Sequence, residues 1–141
     1  NVVLANDQVV FCVNKDHRLA DKEIVTTKEM SKELLIFFNA DSVQNQLLKT
    51  RFEMDGYIPN IVMRSSQIYT TLQFIKTGKY SCFLYSSMLD KFTDSEITGI
   101  PLNPPIHIKI GMIWKKGKYI SGDMQTFLNI TRMYYREHPL T

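Results

Sequence analysis

The sequence is short of the features on which many enzymes and membrane proteins depend. It has only three histidines in 141 residues, and no pair of them has the spacing of metal ligands. Its six glycines are too scattered for a phosphate-binding or dinucleotide-binding loop, and no serine stands in a G-x-S-x-G turn. No apolar run approaches the ~20 residues that a membrane-spanning helix needs. We therefore expect no enzymatic activity, no cofactor, no metal and no membrane partner.

Charge and cysteine content narrow the class further. The net charge of +3 permits an acidic ligand but does not argue for nucleic acid. Cys12 and Cys82 each fall within a predicted strand, where a free cysteine is commonly buried, so we predict two buried thiols rather than a disulfide. No basic, apolar leader follows Asn1. These observations favour a cytoplasmic protein, and a chain that starts at Asn1 is expected to be a piece of a longer one.

The stretch from residue 60 to residue 85 organises the prediction. Residues 61–63 form a short apolar run of the kind that a buried strand shows, and residues 81–85 form another. Between them, apolar residues at helical spacing follow Ser65 and Ser66, whose hydroxyls we expect to cap the helix. A strand, helix and strand of this length predict a parallel pair with a right-handed crossover.

The preceding segment repeats this pattern, and the remainder adds strands and helices on either side. Residues 34–38 read as a strand, and Asp41 or Ser42 caps a helix to Met54 whose inward residues are predicted to be Val43, Leu47, Leu48 and Phe52. The other predicted elements are strands at 8–13, 96–102 and 106–114, a short helix from Thr26 or Thr27, a helical turn at 86–90, and a last helix from Ser121 with Met124, Phe127, Leu128, Ile130 and Thr131 inward.

Two polar turns make up the candidate site. Each follows a predicted parallel strand and opens a helix, and ligands of open α/β sheets gather at the carboxyl ends of such strands. The residues are Asn39, Asp41, Ser42, Ser65, Ser66 and Gln67. A simpler interpretation is that these side chains only cap helices. If they do bind a ligand, the free N–H groups of the two helix starts favour an anion, and Asp41 opposes it or selects an effector that also carries an amine.

The order of these segments resembles the effector-binding domain of LysR-type transcriptional regulators. The resemblance runs from Gln8 to Tyr135 and rests on an ordered set of motifs rather than on any single one. The matching stretches are QVVFCVNKDHRLA, LLIFFNADS, MDGYIPNIVMRSS, IYTTLQFIKTGKYSCFLYSSML and IKIGMIWKKGKYISGDMQTFLNIT.

The resemblance implies a Rossmann-like mixed sheet with flanking helices, as in one lobe of a two-lobed, type II periplasmic-binding-protein-like domain. Residues 1–14 are then a remnant of the first lobe and the first crossover strand, and residues 15–104 are the second, effector-binding lobe. Residues 105–116 are the return crossover strand, and residues 117–141 a C-terminal helix that packs on the first lobe. This assignment accounts for apolar residues at both ends of the chain that the segment between Leu34 and Leu102 does not need.

By position, Ser66 aligns with a hydroxyl residue that contacts effector in the family. The function implied is that of a regulatory domain, which binds a small, anionic effector in a cleft between the lobes and associates with itself. DNA is contacted only through a helix-turn-helix expected to precede Asn1. The alternative is an extracytoplasmic solute-binding protein of the same architecture.

Overall fold

The computed structural model describes residues 1–39, 41–92 and 94–140. Three residues lie outside the described part of the chain. They are Ala40 in the predicted turn after residues 34–38, Thr93 in the predicted second lobe, and Thr141 in the predicted C-terminal segment. The chain forms two compact units. One is Gln8–Ile106, and the other combines Asn1–Asp7 with the residues from 107 onwards.

The helices and strands alternate along most of the chain. In chain order they are β1 (Val2–Asn14), α1 (Thr27–Met30), β2 (Leu34–Phe37), α2 (Val43–Asp55), β3 (Ile61–Arg64), α3 (Ile68–Lys76), β4 (Tyr80–Tyr85), α4 (Ser86–Phe92), β5 (Ile97–Pro101), β6 (His107–Met112) and α5 (Gly122–Glu137). Two of the helices are followed by a glycine where a positive φ is needed, since Gly56 follows α2 at φ 77° and Gly78 follows α3 at φ 84°.

The sheet is mixed. Its strand order is β3-β2-β4-β1-β5, with β6 paired to β1 off this path. Strand β2 runs parallel to both β3 and β4, whereas β1 runs antiparallel to both β4 and β5. The predicted α/β class, with a mixed sheet and flanking helices, is confirmed.

The unit Gln8–Ile106 has one apolar core on each face of its sheet, because side chains alternate along every strand. In β1, Phe11 faces the core that α2 covers, where Leu48 and Phe52 are fully buried. Cys12 faces the opposite core, which α3 covers with Leu72 and Ile75. Strand β1 is buried throughout residues 9–13, which explains its continuous apolar run.

Two predictions, one about strand pairing and one about a helix face, were wrong in part. Strands β3 and β4 are not direct partners but flank β2. In α2, Leu48 and Phe52 do face the core, but Val43 is 61% exposed while its polar neighbours Gln44 and Asn45 are buried. The apolar pattern misled here because the first turn of α2 lies beyond the end of β2. Strand and loop carbonyls are buried there, and the side-chain amides of Gln44 and Asn45 donate hydrogen bonds to them.

The ends of the chain also differ from the pattern. Strand β1 begins at Val2 rather than at residue 8, and β6 ends at Met112 rather than at residue 114. In α5 only Leu128 of the predicted inward residues is buried, while Phe127 and Ile130 are 63% and 61% exposed. The described residues thus supply no cover for most of the apolar side of this helix.

The orientation of α2 can be tested by two substitutions on the same helix. We expect Leu48→Ala to lower the free energy of unfolding by about 2–5 kcal/mol, since it opens a cavity in a closed core. Val43→Ala should change it by less than about 0.5 kcal/mol, because the side chain is exposed. Urea unfolding of both variants measures the difference, and equal losses would show that the helix is turned otherwise.

Candidate functional site

A crevice is expected where β2 and β3 end. The two strands are adjacent and parallel, and Phe37 is opposite Arg64 at their carboxyl ends. The chain crosses the sheet in one direction as it passes from β2 through α2 to β3, and it crosses back past β2 as it passes from β3 through α3 to β4. Because both crossovers are right-handed, α2 and α3 must lie on opposite faces of the sheet. The cores bear this out. The chain therefore leaves the two strand ends in opposite directions, which is the arrangement that creates a ligand crevice in open α/β sheets.

The first turn belongs to β2 and α2. Asn39 and Asp41 are exposed, and Ser42 is half-buried. The Ser42 hydroxyl accepts a hydrogen bond from the backbone N–H of Asn45 at 3.1 Å, so Ser42 is the N-cap of α2, as one of the two predicted alternatives held. Asp41 stands beside the positive end of a 13-residue helix without capping it.

The second turn belongs to β3 and α3. The backbone N–H of Ser65 donates to the carbonyl of Phe37 at 3.0 Å, so this turn is tied directly to the end of β2. Ser66 and Gln67 are exposed and Ser65 is half-buried. The structure therefore brings the two predicted turns to neighbouring positions at the same edge of the sheet.

The predicted capping of α3 was wrong. Its N-cap is Gln67, whose side chain makes no capping bond, and neither serine caps the helix. Instead the Ser65 hydroxyl accepts from the Gln67 backbone N–H at 3.1 Å, a local turn in which the side chain satisfies the residue two positions on. The helix-cap interpretation thus explains Ser42 but not Ser66, and the first turn of α3 keeps N–H groups without a side-chain cap.

Two residues that sequence reasoning missed hold the first turn in place. The buried side-chain amide of Gln44 donates to the carbonyl of Phe83 at 3.0 Å, just beyond the last residue of β4 that pairs with β2. The Asn45 amide donates to the carbonyls of Phe38 and Asn39. Adjacent carboxamides in the first turn of α2 were the available signal, because buried amides are retained where loop carbonyls need donors.

A separate cavity of about 540 Å³ lies along α2 and β3. None of the six predicted residues lines it. Two of its lining residues lie close to the predicted turns, since Arg64 immediately precedes Ser65 and Phe37 lies two residues before Asn39. The Arg64 guanidinium carbon is 6.0 Å from the centre of the Phe37 ring, which is within cation–π range. The crevice is a stronger candidate than this cavity, because chain topology and the helix N–H groups both point to the crevice.

The described part of the chain contains no group of three metal-ligating side chains. Within the same residues, no helix is both long and apolar enough to cross a membrane.

Comparison with known proteins identifies the family. The model of the LysR substrate-binding domain matches residues 1–136. The chain belongs to this family. A curated relative of this LysR substrate-binding domain is the HTH-type transcriptional regulator YwbI of Bacillus subtilis (strain 168), which is 25% identical over 132 residues. The match covers 93% of this chain and 44% of YwbI, so the chain spans less than half the length of that relative.

Solved structures show the same fold at low sequence identity. The regulatory domain of CcmR from Synechocystis PCC6803, in complex with 2-PG, superposes with a TM-score of 0.80 at 18% identity, over 98% of this chain and 67% of that one. The effector-binding domain of QuiR, in complex with shikimate, gives a TM-score of 0.74 at 18% identity, over 98% of this chain and 66% of that one.

The role of the Asn45 amide can be tested against its exposed neighbour. We expect Asn45→Ala to lower the free energy of unfolding by about 1–3 kcal/mol, because two loop carbonyls lose their donor. Amide hydrogen exchange in the turn after β2 should also become faster. Gln46→Ala is the matched control and should change stability by less than about 0.5 kcal/mol. Urea unfolding and exchange mass spectrometry measure both effects, and similar results for the two variants would contradict this role.

Proposed function

We propose that the chain is the effector-sensing part of a LysR-type transcription regulator and performs no chemistry of its own. One observation carries the proposal. Two exposed polar turns follow adjacent parallel strands, and the helices they open lie on opposite faces of the sheet. That arrangement offers a small molecule side-chain and backbone partners from two directions. The family assignment favours a regulator over the alternative of a solute-binding protein.

The chemistry of the crevice favours a small anion. The starts of α2 and α3 both carry backbone N–H groups and the positive ends of helix dipoles. Ser65 and Ser66 add hydroxyls, and Asn39 and Gln67 add amides, which can donate to carboxylate or phosphate oxygens. Two relatives in fold support this class, since CcmR and QuiR are described with 2-PG and shikimate bound.

Asp41 refines the proposed effector. Its carboxylate lies beside the start of α2, where it repels a bare anion but attracts an ammonium or hydroxyl group on the same ligand. We therefore propose an effector that carries an acidic group together with a hydrogen-bond donor.

We assign residues 15–104 to the second lobe of the regulator and residues 1–14 to a remnant of the first lobe with the first crossover strand. Residues 105–116 are assigned to the return crossover strand, and residues 117–141 to a helix that packs on the first lobe. Effector binding would then shift the balance between open and closed lobes, by as much as its affinity differs between those states. DNA contact belongs to a helix-turn-helix outside this chain, which fits a cytoplasmic protein and relatives named as HTH-type regulators.

Substitution at Ser66 tests the crevice. In the full-length regulator, Ser66→Leu should leave the fold intact, because the position is exposed, and should block the ligand. Loss of a hydrogen bond to a charged ligand group costs about 1.5–3 kcal/mol, or roughly ten- to a hundred-fold in affinity. The measurement is thermal shift against a panel of small hydroxy- and amino-carboxylates that includes shikimate.

The control for this experiment is Thr50→Leu, which places the same side chain at an exposed position of α2. It should keep the wild-type response. If Ser66→Leu binds the panel as wild type does, effector binding lies elsewhere, and the cavity along α2 and β3 becomes the candidate.

Self-association is proposed from the uncovered side of α5. Phe127, Ile130, Met133 and Tyr134 are each more than half exposed, and apolar groups that recur at such spacing usually mark an interface. We expect the 141-residue chain to self-associate, or to bind a dye specific for apolar surface. Phe127→Glu with Ile130→Glu should reduce either effect, whereas Gln125→Glu with Asn129→Glu, on the same helix, should not. Sedimentation velocity that shows only monomer, without dye binding, would contradict this proposal.

A further inference from the structure

The only two cysteines of the chain lie directly opposite each other. Cys12 is in β1 and Cys82 is in β4, and the antiparallel register pairs these two residues with one another. Both side chains therefore project from the same face of the sheet, towards the core that α3 covers. Seventy positions separate them in sequence, so the fold alone creates the pair.

The two thiols contact each other in a dry environment. Both residues are 0% exposed and both are free thiols. A hydrogen bond to Cys12, and then burial, raise the pKa of the Cys82 thiol well above its usual value. The Cys12 sulfur in turn approaches the carbonyl of Val10 at 3.8 Å, a weak hydrogen bond. The order of these contacts is Cys82 to Cys12 to a strand carbonyl.

The spacing is close to that of a disulfide. Directly opposed residues of antiparallel strands have Cβ atoms about 4.5–5.5 Å apart. A disulfide needs about 3.5–4.5 Å between the same atoms. Strands β1 and β4 would have to approach by about 1 Å, and a bond made under that strain is more easily reduced.

We propose that Cys12 and Cys82 form a reversible cross-strand disulfide when the protein meets a hydroperoxide. A small oxidant reaches the pair with the least opening of the sheet, because both sulfurs are enclosed by the sheet and by α3. Hydrogen peroxide is close to water in size and is the simplest member of the class. The inference is independent of the proposed effector crevice, since neither cysteine is among its residues.

The reaction balances with one peroxide. When Cys12 reacts first, its thiolate attacks a peroxide oxygen, the O–O bond breaks, and sulfenic acid forms while hydroxide leaves and takes up the Cys12 proton as water. The Cys82 thiolate then attacks the Cys12 sulfur, an S–S bond forms, and the S–O bond breaks. That hydroxide takes up the Cys82 proton and leaves as a second water. Two thiols thus lose two electrons and two protons, and one hydrogen peroxide becomes two waters.

The hydrogen bonds do not select which thiol reacts first, because the Cys82 thiol bonds to Cys12 and the Cys12 thiol donates to the Val10 carbonyl. The overall balance is the same in either order. Because the thiolate is the reactive species and burial disfavours it, the reaction is slow in the closed sheet. It proceeds through local opening of the strands rather than at an exposed, fast-reacting thiol.

The test uses the full-length protein that contains this chain. The folded protein is treated with hydrogen peroxide, free thiols are alkylated in denaturant, and tryptic peptides are mapped without reduction. The expected product joins peptide 80–91, which holds Cys82, to the peptide that ends at Lys15 and holds Cys12. Alkylation at both positions should be lost together and should return after treatment with dithiothreitol.

A diagonal variant isolates the effect of the register. Val10 lies on the same face as Cys12, is equally buried and is opposite Leu84. Cys12→Val with Val10→Cys keeps the composition and the burial of the thiol. It places the moved thiol diagonally across from Cys82, at about 7–8 Å, which is too far for a disulfide. This variant should give no cross-link under the same conditions, after its unfolding midpoint has shown that it is folded.

Three results would overturn the proposal. The first is wild-type protein in which both thiols remain fully alkylated after peroxide. The second is oxidation of one cysteine to sulfinic acid without a cross-linked peptide. The third is equal cross-linking of wild type and diagonal variant, which would show that oxidation occurs in unfolded chains. The wild-type peptide map decides the first two without any variant.

Discussion

Strand β2 is hydrogen-bonded on both edges by parallel strands that the chain reaches in opposite directions, and most of the architecture follows from this constraint. Because each crossover is right-handed, one helix must cover each face of the sheet. Two cores are then needed, and β1 must supply apolar side chains to both of them, which it does at Phe11 and Cys12. The same reversal directs the chain away from the ends of β2 and β3 on opposite sides, so it also determines where a ligand can be held.

Much of this was predictable because the relevant signals are local. Apolar runs gave the positions of β2, β3 and β4 to within a residue or two, and Ser42 and Gly56 marked the two ends of α2. The location of the two polar turns at one edge followed from the strand–helix–strand repeat alone. Their binding role stays a prediction, since capping accounts for Ser42 and solvent exposure in a turn accounts for a polar residue such as Ser66.

What could not be predicted depends on neighbours distant in sequence. Spacing alone cannot show that β4 pairs with β2 rather than with β3, because both arrangements join parallel strands by one helix. Helical periodicity placed Val43 inside and overlooked Gln44 and Asn45. The periodicity reflects only which side chains are apolar, whereas these two amides are buried because carbonyls near the strand ends need hydrogen-bond donors. For α5 the pattern identified an apolar side, but nothing in it tells whether the described residues cover that side.

The pairing of β1 has a consequence for synthesis of the chain. Residues 9–13 leave the ribosome well before their hydrogen-bonding partners in β4 and β5, which lie at residues 82–85 and 97–101. At translation rates of about 5–20 residues per second, the nascent strand waits roughly 5–20 s before its second partner exists. During that interval a five-residue apolar strand has two unpaired edges, which is a hazard for aggregation. Chaperone binding to nascent chains is therefore expected to matter more for this strand than for the locally paired β2 and β3.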